Sequence, residues 1–100
     1  MRLPKPKTLQ GRALARLLKR ATMSSIEFQN ETRTYRLGAV IHILRTRYLL
    51  PITSTGKTVT TQDHGRKTTY VDYSLDGREK YLDNLQVQNM IKEVDAFEAS

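Results

Sequence analysis

The chain has 100 residues, with 17 Lys or Arg against 10 Asp or Glu, giving a formal net charge of +7. That length holds one small domain with at most an appendage, and a hydrophobic fraction of 38% is enough for a compact core, which argues against global disorder. No apolar run approaches the ~20 residues of a membrane span, and no apolar signal segment follows the basic start at Arg2, Lys5 and Lys7.

Cysteine is absent, so disulfides and thiolate metal clusters are excluded and a cytoplasmic setting is expected. Only His42 and His64 offer imidazole, so neither a metal nor a cofactor is expected. The charge is uneven. Residues 1–50 hold eleven basic residues against two acids, Glu27 and Glu31, whereas residues 76–100 hold three basic residues and six acids. This asymmetry points to a polyanion-facing front and a tail with another task.

In chain order, residues 1–7 carry two prolines and three cations and are expected to form a flexible basic arm. Thr8 is placed to cap a first helix running to about Arg20, with Leu14, Leu17, Leu18 and Ala21 on one stripe. Arg12, Arg16, Lys19 and Arg20 fall on the other side, where Arg12 and Arg16 are candidate phosphate contacts. Gly11 weakens the first turn by roughly 1 kcal/mol relative to Ala. Ser24 and Glu27 have the spacing of a capping box and open a short helix over about 25–31. After a polar turn, Leu37, Val40, Ile41 and Leu44 predict a third helix over about 34–46.

Beyond Pro51 the helical period stops. Ile52–Thr61 and Lys67–Leu75 are rich in Thr, Val and Tyr around the turn cluster Asp63-His64-Gly65, which predicts a β-hairpin. Lys57, Arg66 and Lys67 are its cations. Asp83 or Asn84 is placed to cap a final helix to about Glu98, with Val87, Met90, Ile91, Val94 and Phe97 as its apolar stripe.

Helix, short helix, polar turn, helix and hairpin is the order of a winged helix-turn-helix, an α+β fold whose third helix is free to enter a major groove. The residues Met23-Ser24-Ser25-Ile26-Glu27, Arg36-Leu37-Gly38-Ala39-Val40-Ile41-His42-Ile43-Leu44-Arg45, Ile52 and Tyr73-Ser74-Leu75 carry a family resemblance. The pattern resembles the small helix-turn-helix domains common in bacteriophage and prophage proteins. It covers residues 8–75, departing at Val40, where that family often has arginine, and at Tyr48-Leu49-Leu50, where it has a glycine before the first strand.

The resemblance implies a small double-stranded DNA-binding protein, a transcription regulator or an accessory factor in phage replication or excision. The expected groove-facing set is Arg33, Tyr35, Arg36, Ala39, His42 and Thr46. Lys57, Arg66 and Lys67 of the wing and Lys5 and Lys7 of the arm are expected on backbone phosphates. Residues 76–100 lie outside the resemblance. Their stripe must either fold back on the first helix or meet its copy in a homodimer, and the second is the expectation because two-fold pairing suits half-site recognition.

Thr55-Gly56-Lys57-Thr58 ends like a phosphate-binding loop, but Pro51 stands where that loop needs glycine and a strand-like run follows it, so nucleotide hydrolysis is not expected. No nucleophilic triad or carboxylate pair is evident, and no enzymatic activity is expected. The alternative from another class is a protein-interaction module that binds and redirects a host polymerase or replication factor. RNA binding is disfavoured by the few aromatics and the lack of a stacking platform.

Overall fold

The computed structural model describes residues 2–34, 36–60 and 67–99, with the side chains of 57–60 and 67–69 outside that description. Over these residues the chain is α+β. Its elements are α1 (Leu9–Lys19), β1 (Met23–Ser24), α2 (Ser25–Thr32), α3 (Leu37–Thr46), β2 (Ile52–Thr60), β3 (Lys67–Leu75), α4 (Arg78–Leu82) and α5 (Leu85–Ala99). The strands form one antiparallel sheet in the order β1-β3-β2.

Local chemistry sets the helix starts. The Gly11 amide donates to Thr8 Oγ1 at 3.1 Å, which starts α1 where the sequence predicts. The capping box is formed: the Glu27 amide donates to Ser24 Oγ at 3.0 Å and the Ser24 amide to Glu27 Oε1 at 3.4 Å. Asn84 Oδ1 accepts from the amides of Gln86 and Val87 and so opens α5. The hairpin runs in register from Ile52 opposite Leu75 to Thr60 opposite Lys67; its expected turn cluster, Asp63-His64-Gly65, lies outside the described residues.

α1 is the hub of the core. Ala13, Leu14, Ala15, Leu17 and Leu18 are all buried, and α3, α4, α5 and β3 pack around them. Leu37, Val40, Ile41 and Leu44 face α1 from α3, while Phe28 enters from α2 and Met23 and Tyr73 from the sheet.

Several expectations are corrected. Residues 2–7 are docked and do not form a free arm: Pro4 is buried, Leu3 packs on the core, and the Arg2 guanidinium lies 6.0 Å from the centre of the Tyr48 ring. α3 begins at Leu37 and not near residue 34, because α2 ends on Arg33 in the left-handed conformation (φ 59°) and Arg36 (φ −101°, ψ 26°) is still outside the helix. β1 and α4 were not expected. β1 exists only through pairing of Met23 with Tyr73 and Ser24 with Asp72, and α4 follows a left-handed Gly77.

The stripe of α5 is used within the chain. Val87, Met90 and Val94 are buried against the fold, Ile91 is half-buried, and only Phe97 of the expected dimer set stays exposed. Fold-back on α1 accounts for this burial, since α5 packs on α1 and α4. Among the described residues, no helix is long and apolar enough to cross a membrane.

Candidate nucleic-acid interface

Burying Leu37, Val40, Ile41 and Leu44 leaves the other side of α3 to solvent. Ala39, His42 and Thr46 are all exposed there, with Ile43 half-buried beside them; Arg36 is exposed just before α3 and Arg33 at the end of α2. Tyr35, placed with this group by sequence, lies outside the described residues. The hydroxyl of Thr46 donates to the His42 carbonyl at 2.8 Å, which leaves its oxygen as a surface acceptor. No Asp or Glu occurs between Glu31 and Asp63, so Arg33, Arg36, Arg45 and Arg47, in and around α3, have no acid within that stretch of sequence to offset them.

The far end of α3 is fixed by Arg45. Its Nε and Nη2 donate to the Ile52 carbonyl at 3.0 and 2.8 Å, tying the helix to the first residue of β2. The hairpin therefore leaves α3 at a set angle. Arg66 of its expected cationic tip lies outside the described residues, as do the side chains of Lys57 and Lys67. Lys5 and Lys7 are exposed, but they border α5 and are not gathered with the α3 group.

Arg12 and Arg16, expected on phosphate, are paired with acids of the chain itself. Arg16 is 6% exposed. Its Nε donates to Glu31 Oε1 at 2.9 Å, its Nη2 to Glu98 Oε2 at 2.5 Å and its Nη1 to the Arg12 carbonyl at 3.1 Å, while its guanidinium lies 5.6 Å from the centre of the Phe28 ring. Arg12 donates to the same Glu98 oxygen at 3.0 Å. Lys19 pairs with Asp95 at 2.6 Å, and Arg20 pairs with Glu31 at 2.7 Å and Glu27 at 3.6 Å. The three cations of α1 and Arg20 just after it thus meet four acids from α2 and α5, and the net excess of the chain sits elsewhere.

Titration follows the same contacts. The hydrogen bond from Arg20 is the main reason that the Glu31 carboxyl falls from its ordinary 4.5 to about 2, with burial opposing and Arg16 assisting. The same bond raises Arg20. Burial alone would raise Glu98; hydrogen bonds from Arg16 and Arg12 overcome it, and the carboxyl titrates below its usual range.

This cluster was missed at the level of sequence because Glu98 lies 86 residues from Arg12 and 82 from Arg16. Arg78 was also missed: its Nη1 donates to the Leu18 carbonyl at 2.9 Å and satisfies the end of α1. Among the described residues, no group of three or more His, Cys, Asp or Glu is placed to hold a metal ion. Comparison with family models, with curated proteins and with solved structures finds no match to the chain.

Proposed function

We propose that the chain is a winged helix-turn-helix that binds double-stranded DNA, with the outer face of α3 in the major groove and the β2–β3 hairpin against the backbone as a wing. The observation that carries this reading is the α3 surface: Arg33, Arg36 and His42 exposed on a segment without acids, while the cations of α1 are neutralised by their own partners. Element order and sheet order support it, because α1, β1, α2, α3, β2 and β3 follow one another with β3 central. In the phage-type setting that the sequence resembles, such a domain regulates transcription or assists replication or excision.

Selection of bound sequences from a random duplex pool tests the reading. A recurring motif is the expected result, with affinity falling steeply as salt rises. Arg36→Ala then weakens binding by about 1–3 kcal/mol at one base position if it meets a base edge, and less, on all duplexes alike, if it meets phosphate. Recovery of no motif, with a single protein captured from lysate after nuclease treatment, replaces this reading with the host-factor module.

A further inference from the structure

Between the docked segment 5–8 and the last turns of α5 runs an open groove. Lys5, Pro6 and Lys7 form one rim, and Glu93, Ala96 and Phe97 the other. Phe97 is 37% exposed, with the Arg12 guanidinium 5.7 Å from its ring centre. Lys5, Lys7 and Glu93 are exposed, and none of their charged ends forms an ion pair among the described residues. The groove therefore has apolar lining from Pro6, Ala96 and Phe97, with positive charge on segment 5–8 and negative charge on α5.

We infer that this groove is where two copies of the chain pair about a two-fold axis. A purely acidic ligand satisfies only the lysine rim, and a purely basic one only Glu93. A second copy carries both charges at the same spacing. Two-fold rotation sets Glu93 of each copy against Lys5 and Lys7 of the other, with the apolar lining of Pro6, Ala96 and Phe97 between them, so every contact is made twice. The buried stripe of α5 has no part in this. The surface is what remains of that helix once Val87, Met90 and Val94 are inside the fold.

Seven lining residues fall far short of the about 20–30 residues a side of a standard stable interface, so pairing is weak in free solution. Two adjacent half-sites on one duplex raise the effective concentration and make it strong. That second statement rests on the DNA-binding reading; the pairing itself does not.

Sedimentation velocity over a concentration series at low salt, without DNA, is the test. Three samples are compared with wild type: Lys5→Glu with Lys7→Glu, Glu93→Lys, and an equimolar mixture of the two. Wild type is expected to shift from monomer to dimer as concentration rises. Each variant alone places like charges in contact and weakens pairing by about tenfold or more. The mixture restores it, because both contacts are again between opposite charges. All the substituted side chains are exposed, and circular dichroism checks that each variant is folded.

Wild type that stays monomeric throughout overturns the inference. So does an assembly that grows past the dimer, a variant that pairs as wild type does, or a mixture that fails to restore pairing. Because no DNA is present, a negative result leaves the duplex selection standing, and a failed duplex selection leaves this result standing.

Discussion

The backbone carbonyl of Lys5 lies directly over Gly11, in the space that a Cβ at position 11 would need. A helix-interior glycine is ordinarily a weakness, and alanine there is worth about 1 kcal/mol in propensity. Here the exchange is expected to have the opposite sign. Gly11→Ala must lift residues 5 and 6 off the first turn of α1, which uncovers Pro4 and breaks the Thr8–Lys5 bonds. A net loss of roughly 1–3 kcal/mol is expected in urea unfolding, with faster proteolysis within residues 2–7. Stabilisation by alanine would show that the docked segment contributes nothing.

Arg16 is the shared cation of Glu31 and Glu98. Arg16→Met keeps much of the side-chain volume but leaves two partly buried carboxylates with fewer donors. The expected cost is about 3 kcal/mol, at the low end for a broken buried pair because both acids keep some contact with water. Adding Glu98→Gln to Arg16→Met should recover part of that loss. A double variant as unstable as the sum of the two singles would mean that Arg16 and Glu98 are not coupled.

Glu31 makes stability depend on pH. Its native carboxyl titrates at about 2 against an ordinary 4.5, so the stabilisation it contributes is complete above 4.5 and is lost as pH falls from there toward 2. Because the side chain is one-third exposed, the effect is screened and amounts to about 1–2 kcal/mol. In Glu31→Gln the fall in melting temperature between those pH values should shrink, and the protein should be less stable than wild type at neutral pH. An unchanged acid profile would assign the loss to other carboxyls.

Arg33 closes α2 with φ 59°, a conformation glycine adopts freely and other residues adopt at a cost of roughly 1 kcal/mol. Arg33→Gly is therefore expected to raise the melting temperature. On the DNA-binding reading the same change removes an exposed cation beside α3, lowers affinity on all duplexes and flattens the salt dependence by about one unit. Opposite movement of the two measurements identifies a residue kept for binding at the expense of the fold. A rise in stability with unchanged affinity removes Arg33 from the interface.

The parts of the fold that local chemistry determines were readable from the chain alone. Thr8, the Ser24–Glu27 box and the stripe of Leu37, Val40, Ile41 and Leu44 each act within a few residues, and each stands where periodicity and capping place it. β1 carries no such signal. Two residues have no period, and they become a strand only by meeting Tyr73 and Asp72 some fifty positions later. The same distance effect misled the reading of α1, whose polar face looks solvated on a helical wheel until α5 brings Asp95 and Glu98 to it. On α3 the exposed set is as periodicity requires, whereas the wing cations depend on residues outside those described.

That long closure also fixes an order of events during synthesis. Arg16 is synthesised 82 residues before Glu98, a delay of roughly 4–16 s at ordinary elongation rates. Through that interval the native partners of Arg12 and Lys19, Glu98 and Asp95, are not yet made, while Glu27 and Glu31 serve Arg16 and Arg20. Until then the polar face of α1, with Arg20 just after it, carries four cations against the two acids Glu27 and Glu31. Synthesis of Asp95 and Glu98 ends that state by giving Arg12, Arg16 and Lys19 their partners.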